Sequence, residues 1–226
     1  MTRARDIANL GTQAGSGLDA SDITTGVLPV GVTGGSGLNA LTFPAGMTEL
    51  LATVTASSST TIDFNSTYVT ATHDSYELHV MGAYPSADMG DVTMSFSYDN
   101  GAGGTFYNFS WGSFHKQFNG TNLTYLGNSS SGQTPNDTTW NIGGGGEGGS
   151  SAASFGGIVR MTNMNAVGTE FSHGDSLITY PHSASAAYGT YSSYYMDQAS
   201  GRTNFIRLTS TQTITSGVFK LYGRIA

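Results

Sequence analysis

The sequence contains no cysteine and few charged residues. The lack of cysteine excludes disulfides, thiolate nucleophiles and cysteine-ligated metals, and it is typical of proteins that assemble in a reducing cytosol. Charged residues make up 10% of the chain, against about 25% in an average soluble domain. Because helical surfaces are normally rich in Glu and Lys, this scarcity argues against a helical protein.

Positive charge is especially scarce. The chain has a formal net charge of −7, and its only lysines are Lys116 and Lys220. Such a chain offers no basic patch to neutralise phosphates, so we expect neither a nucleic acid nor an anionic membrane surface as its partner. No apolar run reaches the length of a membrane-spanning helix, and none of signal-peptide length follows Met1. The sequence therefore predicts neither membrane insertion nor a cleaved export signal.

The residues that are abundant favour β-structure. The chain has 32 Gly, 12 Tyr and 11 Phe, and aromatic residues suit pleated, half-buried surfaces while glycine suits turns. In Ser75–Ala83 the side chains alternate with a period of two, which is the pattern of a half-buried strand. One predicted face carries Tyr76, Leu78 and Val80. The other carries Glu77, His79 and Met81.

A second alternating segment, Val92–Tyr98, leads into the predicted turn Asp99-Asn100-Gly101. Further strands are predicted at Leu50–Ala56, Thr60–Phe64, Thr105–Phe114, Gly157–Met161, Thr169–Ser172, Ser176–Tyr180, Ala187–Tyr195, Asn204–Thr209 and Gly217–Tyr222. Short strands separated by turn residues indicate an all-β, jelly-roll-like antiparallel β-sandwich over residues 47–226, with a closed barrel as the alternative. The glycine-rich run Asn141–Ser151 predicts a flexible surface loop.

Residues 1–46 have a different character and predict an extended N-terminal segment. A short helix is expected at Arg3–Leu10, since Gly11 follows as a stop. Beyond it, small apolar residues are spaced among Gly, Ser and Thr, too sparsely to fold alone. Such a segment is either disordered or ordered by neighbouring chains, and its regular apolar residues favour the second interpretation.

Three stretches together resemble bacteriophage virion proteins. Asp22–Val30 (DITTGVLPV), followed by Gly34–Gly37 (GGSG), resembles the segment "DITTGTLPV…GGTG" of phage tail fibre and virion proteins. Arg3–Leu10 (RARDIANL) looks like the start of many marine phage structural proteins. Ile214–Gly223 (ITSGVFKLYG) is similar to the end, "ITSGTFKLYG", of a β-sandwich domain found in phage virions.

The resemblance implies a homotrimeric virion protein, assembled in the host cytoplasm, that is attached through its N-terminus to other virion proteins. Trimerisation also fits the spaced apolar residues, which three copies could bury together. The predicted attachment and trimerisation residues are Ile7, Leu10, Ile23, Val27, Leu28, Pro29 and Val30. The favoured role is a tail fibre or receptor-binding appendage whose β-domain contacts host surface polysaccharide. The alternative is a capsid decoration (cement) or head-fibre protein.

Catalytic and metal-binding patterns are weak. His173-Gly174-Asp175 would place two titratable side chains on one face of a strand, and His73-Asp74 is the other His/carboxylate neighbour pair. Neither has a visible third ligand, and no nucleophile elbow or phosphate-binding loop occurs. We therefore predict no metal, no cofactor and no enzymatic activity. A polysaccharide depolymerase ranks low, since the 15 acidic residues show little clustering.

Aromatic residues provide the candidates for receptor contact. Aromatic faces beside hydroxyl and amide groups suit stacking on sugar rings. The predicted receptor-binding residues are Trp140, Tyr188, Tyr191, Tyr194 and Tyr195. The competing interpretation places most of them in the sandwich core or a trimer interface, where large aromatics are also common. Trp140, next to the glycine-rich run, is expected to be the most exposed.

Overall fold

The computed structural model describes residues 47–87, 90–102, 106–107, 109–118, 123–125, 138–143, 154–167, 170–183, 186–197 and 201–225. The chain divides into two units, Met1–Thr42 and Phe43–Ala226, and the description concerns the second. The predicted N-terminal segment and its short helix lie outside the described residues. The same holds for the predicted attachment residues Ile7, Leu10, Ile23, Val27, Leu28, Pro29 and Val30.

Eleven strands form in the described residues, and the prediction of an all-β antiparallel fold is confirmed. The strands are β1 (Thr48–Ala56), β2 (Ser59–Phe64), β3 (His73–Pro85), β4 (Val92–Ser97), β5 (Phe109–Phe118), β6 (Leu123–Tyr125), β7 (Trp140–Gly143), β8 (Phe155–Thr162), β9 (Phe171–Ser183), β10 (Ala186–Asp197) and β11 (Phe205–Ile225). No helix that could cross a membrane occurs in this part of the chain.

The strands form one antiparallel sheet that is nearly closed into a barrel-like sandwich. Strand β11 belongs to both layers. Its first half pairs with β2 on one edge and with β4 on the other, and β4 pairs in turn with β7. These four strands form the narrow layer. The second half of β11 pairs with β1 and β3. From β3 the pairing continues through β8, β9, β10 and β5 to β6, which gives a wide layer.

Most predicted strands are present, and the structure differs from the prediction in the length of two strands and in the position of one loop. The predicted segments at 169–172 and 176–180 are one strand, β9, and those at 204–209 and 217–222 are one strand, β11. The prediction that a surface loop begins at Asn141 is wrong, because Asn141–Gly143 belong to β7 and Ile142 is buried. The predicted turn at Asn100-Gly101 is confirmed by positive φ angles of 59° and 73°.

The core lies between the two layers and contains large side chains from both. The narrow layer contributes Phe64, Phe96 and Trp140, and the wide layer contributes Tyr76, Phe155 and Phe219. Burial of each such side chain contributes roughly 1.5–3 kcal/mol. Because side chains alternate along a strand, every inward residue of the wide layer is followed by one on its opposite surface, which we call the outer face.

The pairing of β11 with β3 is irregular at Gly217. The register between them shifts from Ser216 opposite Tyr84 to Val218 opposite Met81. Gly217, between these pairs, has φ +147°, and a Cβ there would lie 2.7 Å from the Cα of Ala83. Backbone atoms cannot yield as a flexible side chain can, so glycine is required at this position.

Substitution of Gly217 by Ala is expected to lower the free energy of unfolding by about 1–3 kcal/mol, because it combines a strained φ with a backbone clash. Gly189→Ala is the matched control, since a Cβ at Gly189 would have its nearest neighbour at 4.0 Å. Urea unfolding of the two variants compares them directly. Equal stabilities would contradict the requirement for glycine at position 217.

Candidate functional site on the outer face of the wide layer

Trp140 is a core residue. Its side chain is 0% exposed, its indole N–H donates a hydrogen bond of 2.7 Å to Ser192 Oγ, and its ring lies 4.4 Å from that of Tyr194. The prediction that Trp140 is the most exposed aromatic candidate is therefore wrong. The cause is β7 itself, which turns Trp140 and Ile142 inward onto β9 and β10.

Tyr194 and Tyr188 also point inward from β10. The Tyr194 hydroxyl lies 3.1 Å from Ser172 Oγ, and burial raises the pKa of Tyr194 far above the ordinary tyrosine value while the Ser172 hydrogen bond lowers it only in part. The Tyr188 ring stacks on Tyr180 at 5.5 Å. For these two residues and Trp140, the competing interpretation as core side chains is the correct one.

Tyr191 and Tyr195 lie on the outer face and remain accessible. Their exposed fractions are 37% and 55%. Tyr195 makes an edge-on contact of 5.9 Å with Phe171, and Tyr191 lies opposite Leu177 in the pairing of β9 with β10. Phe171 with Tyr195 and Leu177 with Tyr191 thus form two partly exposed apolar pairs on one face, separated by Asp175 and Ser193. We call these four residues together the tyrosine patch.

A polar depression of about 370 Å³ lies on the same face. Residues of β1, β3, β8 and β11 contribute its lining. Its lining residues are Thr48, Ser75, Tyr76, Glu77, Arg160, Met161, Thr162, Tyr222 and Arg224. A second depression, of about 350 Å³, has no charged residue in its lining: Gly82, Ser154, Phe155, Gly156, Thr179, Tyr180, Pro181 and Ala187.

Ion pairs and a hydrogen bond hold Arg160 and Glu77 in place in the polar depression. Arg160 lies 3.1 Å from the Asp175 carboxylate and 3.9 Å from that of Glu77. Glu77 in turn lies 3.1 Å from His79 Nε2, and the His79 ring packs 4.7 Å from Tyr222. These partly exposed pairs add little stability individually, but together they hold the side chains of four adjacent strands in position.

Arg224 is different, because it has no ion-pair partner among the described residues. It lies on β11 between Thr48 of β1 and Ser75 of β3. Arg160 and Arg224 face a single carboxylate, Glu77, in the lining. Arg160 is also paired with Asp175 beside the depression, so the two carboxylates balance the two guanidinium groups. Arg224 is the group that has no ion-pair partner among the described residues, and its guanidinium is where an anionic group would be attracted.

The two predicted His/carboxylate pairs lie in different surroundings. His173 and Asp175 share the outer face as expected, but Asp175 pairs with Arg160. His73 is buried, and its Nε2 lies 2.7 Å from Glu49 rather than near its neighbour Asp74. No group of three or more His, Asp or Glu side chains in the described residues is placed to hold a metal ion.

Sequence reasoning missed the arginines of the polar depression and Tyr222. Part of the signal was present, since Glu77, His79 and Met81 were predicted to share a face, and the structure confirms this. The pairing of β3 with β8 and β11, which brings Arg160 and Tyr222 to Glu77, joins residues distant in sequence. Period-two patterns specify the face of a side chain but not its neighbours on adjacent strands.

Trp140→Phe is expected to lower the free energy of unfolding by about 1–3 kcal/mol, because it leaves a small cavity and removes the hydrogen bond to Ser192. Tyr195→Phe, on the exposed face, should change it by less than about 0.5 kcal/mol. Urea unfolding curves measure both. If Tyr195→Phe lowered the free energy of unfolding and Trp140→Phe did not, the assignment of inner and outer faces would be wrong.

The chain was compared with protein-family models, with curated proteins and with solved structures. No family model, no curated protein and no solved structure matches it. The observations that bear on function are therefore the geometry of the outer face and the sequence motifs within residues 3–37 and 214–223.

Proposed function

We propose that the protein is a bacteriophage virion structural protein, a trimeric tail fibre or receptor-binding appendage attached through its N-terminus. In this role its β-domain contacts host surface glycans and does not act as an enzyme. The observation that carries the binding role is the outer face of the wide layer, where exposed tyrosines lie beside a polar depression. The virion assignment is supported by three sequence motifs that follow one another along the chain, Asp22–Val30, Gly34–Gly37 and Ile214–Gly223.

The outer face suits glycan contact for chemical reasons. Sugar rings have apolar faces that stack on aromatic side chains, and hydroxyl groups at their edges that need hydrogen-bond partners. The tyrosine patch offers rings, with Tyr191 and Tyr195 as the receptor-binding candidates that remain accessible. The polar depression offers hydroxyl, carboxylate and guanidinium groups on neighbouring strands. Because these groups stand on paired strands rather than loops, little ordering entropy is lost on binding.

Trimerisation is the second part of the proposal. Residues Ile7, Leu10, Ile23, Val27, Leu28, Pro29 and Val30 are spaced so that three copies of the N-terminal segment could bury them together. Glycines between them would allow the chains to approach closely. A trimer also presents three outer faces to a repetitive cell surface, which raises the avidity without any new contact.

Light scattering on the full-length chain tests this part. The expected molar mass is three times that of the chain, and removal of residues 1–46 should lower it, because the spaced apolar residues are then lost. A full-length protein that remains a stable monomer at micromolar concentration would refute the trimer.

Gold-labelled antibody against the chain, imaged on phage particles from an expressing culture, tests the location. A few labels at the tail are expected for a fibre or receptor-binding appendage. Many tens of copies spread over the capsid would overturn the tail assignment in favour of a decoration or head-fibre protein. Particles that carry no label would contradict a virion role altogether.

A further inference from the structure

We infer that the polar depression binds a saccharide that bears a carboxylate, such as a uronic acid residue of an envelope polysaccharide. The inference rests on the proposed role in glycan contact, and it adds the place and the chemical class of the ligand. Neither Trp140 nor the inward-facing Tyr188 and Tyr194 take part. The residues that carry the inference are Arg224, Arg160, Glu77, Tyr222, Ser75 and Thr162.

The guanidinium of Arg224 is the group that selects an anionic ligand. Arg160 is shared between the Asp175 and Glu77 carboxylates, whereas Arg224 has no ion-pair partner in the part of the chain described. A guanidinium group binds a carboxylate through two parallel hydrogen bonds, which fixes the orientation of the ligand as well as its charge. An unpaired arginine beside a polar depression on an acidic protein is therefore a specific feature. On a uniformly basic surface, a solvated arginine would not indicate a particular binding position.

The other lining groups match the rest of a sugar ring. Tyr222 lines the depression, and its ring centroid lies 4.7 Å from that of His79. Ser75 and Thr162 contribute hydroxyl groups to the lining, and the Glu77 carboxylate can accept hydrogen bonds from sugar hydroxyls. An inorganic anion would use only the arginines, whereas a uronic acid uses the ring, the hydroxyls and the charge together.

The depression is continuous with the tyrosine patch along one line of paired residues. Thr162 lies opposite His173 in the pairing of β8 with β9, and His173 lies opposite Tyr195 in the pairing of β9 with β10. Two strand spacings separate Thr162 from Tyr195, which is roughly 10 Å. A short oligosaccharide bound at Arg224 could therefore extend across the strands to the exposed Tyr195 ring.

Calorimetric titration of the full-length protein with oligosaccharides tests the inference. The probes are oligomers of galacturonate, of alginate and of hyaluronan, each paired with its neutral methyl ester. At least one acidic oligomer should bind about tenfold more tightly than its ester, with an affinity that falls as salt is added. If no acidic oligomer is preferred over its ester, the inference is overturned.

Arg224→Gln isolates the proposed contact, because it removes the charge from an exposed side chain and leaves the core intact. It should weaken binding of the preferred acidic oligomer about tenfold or more and leave binding of the ester unchanged. Lys220→Gln is the matched control, since it removes the same charge from the same strand and face at a residue that does not line the depression. Equal losses in the two variants would reduce the effect to general electrostatics and overturn the site.

Binding to host cells separates this inference from the proposed function. If the wild-type protein and Arg224→Gln adsorb equally to host cells, the polar depression is not the site although the receptor-binding role stands. If the wild-type protein does not adsorb at all, the receptor-binding role fails, and the inference fails with it. Reduced adsorption of Arg224→Gln, with normal adsorption of Lys220→Gln, supports both.

Discussion

The fold depends on the double pairing of β11. This strand is hydrogen-bonded on both edges, to β2 and β4 along its first half and to β1 and β3 along its second. It therefore belongs to both layers and sets the register of each. Because β1 begins at Thr48 and its partner residues in β11 lie near the other end of the chain, the domain closes only when distant segments meet. Long-range pairing of this kind is typical of slowly folding β-proteins.

The same pairing determines which polar and aromatic side chains lie on the outer face. Once β11 fixes the register of β3, the alternation of side chains places Leu78 and Val80 in the core and Glu77 and His79 outside. The register then passes through β8 and β9 to β10, so that Arg160, Asp175 and Tyr195 appear on the same surface. The polar depression and the tyrosine patch are thus consequences of strand register, and a one-residue slip would bury their charged groups.

Much of the architecture was predictable from the sequence, whereas the orientation of the aromatic residues was not. Ser75–Ala83 and Val92–Tyr98 alternate clearly because large apolar residues fill their inner faces. In β9 and β10 the inner face instead carries small hydroxyl residues beside tyrosines, namely Ser172, Ser176, Thr190 and Ser192. These hydroxyls serve the core, since Ser192 accepts the Trp140 indole N–H and Ser176 donates to the Ile142 carbonyl. A face that mixes Ser with Tyr resembles a surface in sequence. For this reason Tyr194 was a receptor-binding candidate, and Trp140 was expected to be exposed, whereas both are buried.

Hydroxyl-radical footprinting shows whether the outer face of the wide layer is the binding surface. The full-length protein would be oxidised alone and in the presence of purified host envelope polysaccharide, and the modified side chains identified by mass spectrometry. We expect protection of Tyr195 and Tyr222 on the outer face, with no change at Tyr68, which is exposed on the segment between β2 and β3. Protection confined to Tyr68, with Tyr195 and Tyr222 still fully oxidised, would contradict it.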